Sequence, residues 1–487
     1  MHDILASARP VAIVLAVGTL AVACAPTTKR QPVMRPATGS FAEARPRPEP
    51  DAHSDSLPIA QATVIDDASF GEELDRDALV AAVLRRNPSI DGARQAWKAA
   101  VARPPQVSAL EDPMLTYGFA PGSIGSRQVD YGETVELIQR LPWPGKLRLK
   151  SEAAAGEADA RFQDLEQAKL EIALKASTLF DDYYLVSRAV ELNKEHVRLL
   201  EELKQAAAAQ YAAGTLSPLD PIQAEVELAH LAHQDVVLAA ERRVTIARIN
   251  ALLHRPPAAV LPPAPKQLLA VDHAGDIVRA AGADLASLEE LAILRRPEIA
   301  AADAEIRARA AEASLARLEG FPDFGVMGQY NSMWADEEHR WMAGFEMSLP
   351  IWRQRIRAAQ TEAEALLLAA RRQREGIEDE VRSEFRQSYE RILEAHHILE
   401  LVEDRMLPAA SDQLRVSRAG LESGRSSFTS LIEAERNLRN VQLSYEESRA
   451  TLGKRIAELA RQVGCLPVDL SRVLDSRGLA AADGGKE

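Results

Sequence analysis

Few residues of this 487-residue chain are placed to do chemistry. Its two cysteines, Cys24 and Cys465, lie 441 positions apart, which excludes a disulfide scaffold and a Cys-rich metal site. Ten histidines are scattered along the chain. His396 and His397 are adjacent and lack the i, i+4 spacing that puts two ligands on one helix face. Met333, Met342 and Met347 fall in or beside strand-patterned segments and read as packing side chains, and Cys465 reads as a lone thiol near the end of the last helix. No Ser/His/Asp order, phosphate-binding loop or cleft-like carboxylate pair occurs, so the chain reads as a non-enzyme with no cofactor and no metal. Lys and Arg number 58 against 72 Asp and Glu, a formal charge of −14. That balance argues against a nucleic-acid surface, which relies on clustered cations.

Cys24 is the exception, a thiol at the end of an apolar run. Pro10 to Ala23 is too short to span a bilayer as a helix and has the length of a signal-peptide core. It closes on Leu20-Ala21-Val22-Ala23-Cys24, similar to the cleavage box of bacterial lipoproteins, although Ala21 stands where that box usually has Leu. The reading is therefore a lipoprotein signal peptide over 1–23 and acylation of Cys24. An ordinary signal peptide cut near Ala23, or a buried apolar helix, would show the same run. Residues 24–63 are rich in Pro, Ser, Ala and charge without apolar periodicity, as in an extended tether.

The elements that follow are set by an internal repeat. Arg85-Arg86-Asn87-Pro88-Ser89-Ile90 is echoed by Leu294-Arg295-Arg296-Pro297-Glu298-Ile299, and Pro113 by Pro322, each at an offset of 209. Leu141-Pro142 matches Leu349-Pro350 at 208, and Gly214–Glu225 matches Gly424–Glu435 at 210. Four landmarks in constant order predict two copies of one design, over 64–258 and 291–465. A connector spans 259–290 and a tail 466–487.

Each copy starts with a helical stretch, Ser89 to Ala102 and Glu298 to Glu319. Two alternating segments follow, strands at about 113–120 and 129–140, then about 322–331 and 340–350. Leu115, Tyr117 and Phe119 share one face. Tyr131, Val135 and Leu137 oppose Asp130, Gly132, Thr134 and Glu136. In the second copy Phe324, Val326 and Tyr330 oppose Gly325, Gln329 and Asn331, and Trp341, Ala343, Phe345, Met347 and Leu349 oppose Gly344, Glu346 and Ser348. Period two is the strand signal. A half-buried soluble sheet would alternate likewise, but four strands cannot close a sheet alone, and their length and apolar face fit transmembrane barrel strands completed by other chains.

Long helices come next, about 146–213 and 219–254, then 353–421 and 428–463. Gly156 and Gly214 enclose 57 residues without Gly or Pro, which span roughly 85 Å at the α-helical rise. Ala176, Tyr183, Val190 and Val197 recur every seven positions with Leu179, Val186 and Leu200 three later, a coiled-coil seam that Asn193 interrupts. Gly376 and Pro408 mark expected bends. Gly214 and Gly424 suit left-handed helix ends. Ser217, Asp220, Ser427 and Thr429 suit caps of the returning helices.

This duplicated order, the Leu141-Pro142-Trp143-Pro144-Gly145-Lys146 junction and the two Gly-x-x-Ser hairpins resemble the TolC-like outer-membrane factors over about residues 75–465. The resemblance implies a mainly α fold with a small β part. Three protomers would each give four strands to a twelve-stranded barrel in the outer-membrane lipid, with the helices forming an α-barrel through the periplasm. It also implies a passive duct whose partners are a periplasmic adaptor and an inner-membrane transporter. Gly214, Leu216, Ser217, Leu219, Asp220, Gly424 and Ser427 then fall at the adaptor-docking tips. Ser430 and Glu433 fall at the aperture, where Glu433 would give a ring of negative charge. Leu421 and Ser426 occupy the family's latch positions, so the aperture must be held in another way. The duct of a protein secretion system shares this fold. A periplasmic coiled-coil scaffold lipoprotein would need no repeated strand pairs.

Overall fold

The computed structural model of the chain describes residues 70–124, 132–212, 217–268, 271, 275, 277–279, 285–334 and 337–474. Cys24, the apolar run before it, the tether, Tyr131, Gly214 and Leu216 lie outside the described residues. The elements run in the order α1 (Arg76–Arg86), α2 (Pro88–Val101), α3 (Arg103–Ser108), β1 (Met114–Ala120), β2 (Gly132–Leu141), α4 (Lys146–Ala212) and α5 (Leu219–Leu252). They continue as α6 (Leu285–Arg295), α7 (Pro297–Leu318), β3 (Phe324–Asn331), β4 (Trp341–Met347), α8 (Arg353–Leu401), α9 (Leu407–Glu422) and α10 (Phe428–Val463). The succession of short helix, two strands, long helix and returning helix therefore occurs twice.

Local chemistry starts these elements. The Asp75 carboxylate accepts from the Ala78 N–H at 2.9 Å at the start of α1. Asn87 accepts from the Ser89 N–H at 3.0 Å, and Pro88 and Pro297 open α2 and α7 where a missing N–H breaks no helix bond. Two helices go beyond the sequence reading. α1 lies ahead of the first expected helical stretch, and α6 begins at Leu285, inside the stretch read as a connector. Both have a short apolar stripe, Leu79, Val80 and Val83 in one and Leu288, Leu291 and Ala292 in the other, buried in the core.

α4 has 67 residues, a length of ~100 Å. The expected seam lies along it. Ala176, Tyr183, Val186 and Leu200 are buried, while Leu179, Val190 and Val197 are partly buried and packed against the core. Asn193 is buried in the same row, and its Nδ2 donates to the Leu231 carbonyl of α5 at 3.2 Å. A polar residue is tolerated in the seam because that bond replaces its water.

The outgoing helix of the second half differs in where it breaks. α8 runs uninterrupted through Gly376, and the discontinuity is a π-helical turn, Val402–Met406, ahead of Pro408. Placed in the first turn of α9, Pro408 has no intrahelical bond to lose. Across the π turn the Leu407 N–H reaches the Val402 carbonyl, one residue further back than in an α-helix.

The four strands form one antiparallel sheet in the order β1-β2-β3-β4. Tyr117 pairs with Val135, Val135 with Tyr330, and Tyr330 with Trp341, so all four strands present apolar side chains on one face. That face is open in the single chain: Leu115, Tyr117, Trp341 and Phe345 are 67, 61, 73 and 65% exposed. Thr116, Glu136, Gln329 and Met342 share a row of the opposite face. β4 stops at Met347, and Leu349, read from its alternation as part of the strand, lies beyond it.

The core sits among the helices. Tyr183, Tyr184, Phe385 and Ile392 are the large side chains at its centre. Asp181 is wholly buried there against Arg76. Burial pushes its carboxyl up to about 7 despite the cations Arg76 and Lys454. Among the described residues no helix is long and apolar enough to cross a membrane.

Candidate functional site

At the far ends of the long helices the start of α5 and the turn before α10 are joined through Gln223 and Thr429. In the second, Gly424 has φ +71°, a left-handed conformation that side chains with a Cβ rarely adopt. The turn closes on the Gly420 carbonyl, which accepts from the Arg425 and Ser426 N–H groups at 2.8 and 3.1 Å. Ser426 lies so close over Gly420 that a Cβ on the glycine would come within 2.1 Å of its Oγ. Ser427 caps α10, accepting from the Ser430 N–H at 3.2 Å, and the two hydroxyls pair at 2.9 Å. Ser430, read as an aperture residue, is thus engaged in the cap.

The first turn is held by a reciprocal pair. The Ser217 N–H donates to Asp220 Oδ2 at 3.0 Å, and the Leu219 N–H donates to Ser217 Oγ at 3.3 Å. Leu219 itself is 56% exposed. Thr429, expected as a cap, instead donates to Gln223 Oε1 at 3.0 Å and links the two hairpins. Leu421 packs into an apolar cluster with Phe428, Ile432, Leu200 and Leu231, so its contribution at that position is apolar packing.

The stronger link between hairpins lies higher. Glu227 of α5, with a side chain only 5% exposed, accepts from Arg436 at 2.6 Å and Arg439 at 3.2 Å on α10. Burial alone would raise its carboxyl, but the hydrogen bond and charge of Arg436, with the charge of Arg439, hold it below the usual range. Between α4 and α10, buried His196 pairs with buried Glu435 through Nδ1, and its Nε2 lies 2.8 Å from Gln442 Oε1. Further up, Tyr184 donates to Glu446 at 2.6 Å and Arg188 Nε donates to the same carboxylate at 3.2 Å. The acids of α10 therefore divide into two sets. Glu435 and Glu446 are sunk into polar contacts with α4, whereas Glu433 is exposed.

The ion pairs and buried contacts were missed in the sequence because each joins residues 200 or more positions apart, with no local spacing to betray them. Only the break in apolar periodicity at Asn193 hinted that polar side chains enter the seam, and nothing in the pattern singled out His196.

At the other end of the helices, the strand-to-helix junction of the first half is closed by the second. The Trp143 N–H and Lys146 Nζ both donate to Asp323 Oδ1, at 2.7 and 2.8 Å. The Trp143 ring stacks on Phe321 with centroids 5.0 Å apart. Trp352, in the corresponding junction of the second half, is 70% exposed.

The fold is thus a small four-stranded sheet on very long helices, with two helical hairpins joined through Thr429 and Gln223 and buried polar contacts between α4 and α10. Residues 288–464 match the family model described as outer membrane efflux protein. The fold as a whole is similar to those of solved outer-membrane channel proteins. A membrane protein from Pseudomonas aeruginosa is 20% identical and superposes with a TM-score of 0.68, covering 85% of this chain and 99% of that one. CusC, described as forming a transmembrane channel, is 16% identical with a TM-score of 0.66 over 85% of this chain and 99% of its own. The outer membrane protein VceC from Vibrio cholerae is 17% identical with a TM-score of 0.65, over 80% and 96%. Nodulation protein T of Rhizobium leguminosarum bv. trifolii is 22% identical over 350 residues, 66% of this chain and 68% of that protein.

Proposed function

We propose that this chain is one protomer of a trimeric outer-membrane duct in a tripartite efflux pump. The observation that carries the reading is the four-stranded sheet, with an open apolar face and two unpaired edges, mounted on ~100 Å helices. Such a sheet is stable in hydrocarbon only when other strands complete a barrel, and three copies give twelve. The helices then continue the barrel as a tube, and the tips meet a periplasmic adaptor. The match of residues 288–464 to the outer membrane efflux family supports the same reading.

The division of labour follows. Residues 1–23 direct export, Cys24 carries the lipid, 24–63 tether it to the body, and 64–258 and 291–465 are the two copies of one ancestral unit. Gly214, Leu216, Ser217, Leu219, Asp220, Gly424 and Ser427 form the docking surface for the adaptor. Glu433, exposed on α10, supplies charge to the aperture, with Ser430 beside it. The duct is passive, and the inner-membrane transporter supplies the energy.

Gly424 provides the test. Gly424→Trp places a large side chain at the tip, at a left-handed position that also disfavours any Cβ by ~1–2 kcal/mol. Gly424→Asn controls for that backbone effect, since Asn tolerates the conformation. In a deletion strain, the Trp variant is expected to lose efflux while still running as a heat-modifiable trimer in the outer-membrane fraction, and the Asn variant to retain efflux. Transport by the Trp variant would remove the tip from the docking surface.

A further inference from the structure

The two hairpins match closely enough for contacts to be carried from one to the other. Across the first, Asn193 of α4 donates to the Leu231 carbonyl of α5. Their counterparts 209 and 210 positions on, Val402 and Val441, pack in one apolar cluster across the second. The turns at Gly214 and Gly424 keep the same offset of 210.

A further seam joins the hairpins to each other. α10, the returning helix of the second, packs along α4, the outgoing helix of the first. Arg188 of α4 meets Glu446 of α10, and His196 meets Glu435. Carried over by 210 positions, this seam becomes α5 against the outgoing helix of the second hairpin, the run from α8 through the π turn to α9. There Ile398 stands for Arg188, Met406 for His196, Val236 for Glu446 and Glu225 for Glu435.

That second seam is open in the single chain, where Ile398, Met406 and Val236 are 45, 41 and 68% exposed. Eleven residues are close to three whole helical turns, so Glu225 and Val236 lie along one side of α5. The π turn, closed one residue later than an α turn, keeps Ile398 and Met406 nearer to one line than a straight helix would. Three of the four positions that are polar or charged in the filled seam are apolar in the open one. Burying them removes apolar surface from water without sinking a charge that needs a partner. A surface that fits a different surface of its own kind makes a head-to-tail contact, which closes into a ring when the rotation allows.

We infer that α5 of one copy packs on α8 and α9 of a second copy in the register that α10 has on α4, with Val236 against the partner's Ile398 and Glu225 beside the partner's Met406. This rests on the trimeric reading and adds to it which helices meet and how they are aligned.

Two differently tagged full-length copies are expressed together, one carrying Val236→Cys and the other Ile398→Cys. Glu394→Cys replaces the second in a parallel sample, because Glu446 also meets Tyr184, whose counterpart is Glu394. Light scattering in detergent first sizes the parent and the variants, and a short-armed bifunctional maleimide is then added. The expected product is a linked pair carrying both tags, absent from copies without an introduced cysteine. Val226→Cys with Ile398→Cys should give roughly tenfold less, since ten residues of helix displace the thiol by ~15 Å. Trimers in which neither Val236 pair links, or in which Val226 links as well as Val236, overturn the register and leave the trimer standing. A parent chain that is not a trimer overturns the trimeric reading, and this seam with it.

Discussion

The link between hairpins at Glu227 makes a graded prediction. Its carboxylate is 5% exposed, but its partners are not equally sheltered: the Arg436 side chain is 49% exposed and Arg439 25%. Arg436→Gln leaves Arg439 in place and removes an interaction screened by solvent, so the loss should be about 1 kcal/mol or less. Glu227→Gln strands two cations that can swing into water, and the loss should be ~1.5–3 kcal/mol, the range for hydrogen bonds to charged groups. Arg436→Gln with Arg439→Gln leaves a buried carboxylate with no counter-charge, for which ~3–5 kcal/mol is expected. Amide hydrogen exchange along α5, residues 219–235, reads this as local opening, with roughly tenfold faster exchange for every 1.4 kcal/mol lost. Acid should mimic Glu227→Gln. The native carboxyl titrates below its ordinary value, so the opened state binds the proton more tightly. The stabilisation is therefore complete above about pH 4.3 and disappears as the pH falls through the depressed value. The reasoning fails if Glu227→Gln accelerates exchange more than the double arginine variant, or if all three variants match the parent.

Two other outcomes are expected. Gly420→Ala drives a Cβ into Ser426 and should destabilise the second tip by ~1–3 kcal/mol. Adding Ser426→Gly should recover most of that loss in a melting double-mutant cycle, and no recovery would mean that the contact is not the cause. Cys465 is buried, its Sγ donates to the Ala460 carbonyl at 3.5 Å, and burial pushes its thiol up to about 12 despite the Arg295 charge. Iodoacetamide at pH 8 should leave it unmodified in the folded protein and alkylate it fully on unfolding; rapid labelling of the folded protein would place the thiol at the surface.

Periodic signals were legible in the sequence because they are local. The alternation of Trp341, Phe345 and Met347 and the seven-residue recurrence of Ala176 and Tyr183 each encode one buried or lipid-suited face, and the structure has a strand and a helix there. Shorter elements were obscured. α6 carries its stripe on few residues next to a proline-rich stretch, and the discontinuity near Pro408 is a π turn at Val402–Met406, which no local spacing signals. At the candidate site, the turn at Gly424 was legible from Gly and Ser types alone, whereas Glu227 with Arg436 and Arg439 was not. Nothing in the neighbourhood of Glu227 distinguishes it from the other acids on the same helix. Its role is created by α10 packing beside α5, a property of the tertiary fold.

The sheet order has one more consequence, for genetics. On the proposed reading of the sheet as one third of a trimeric membrane barrel, the outer strands β1 and β4 leave each chain two edges that hydrocarbon cannot satisfy, so insertion cannot be completed by one copy and later joined by others. A copy with a damaged edge does not fail alone: it blocks the seam that its neighbours need. A defective allele expressed beside a normal one should therefore reduce pore number by more than its share of the protein made, and edge-strand lesions should be dominant where tip lesions of equal severity are recessive to wild-type rings.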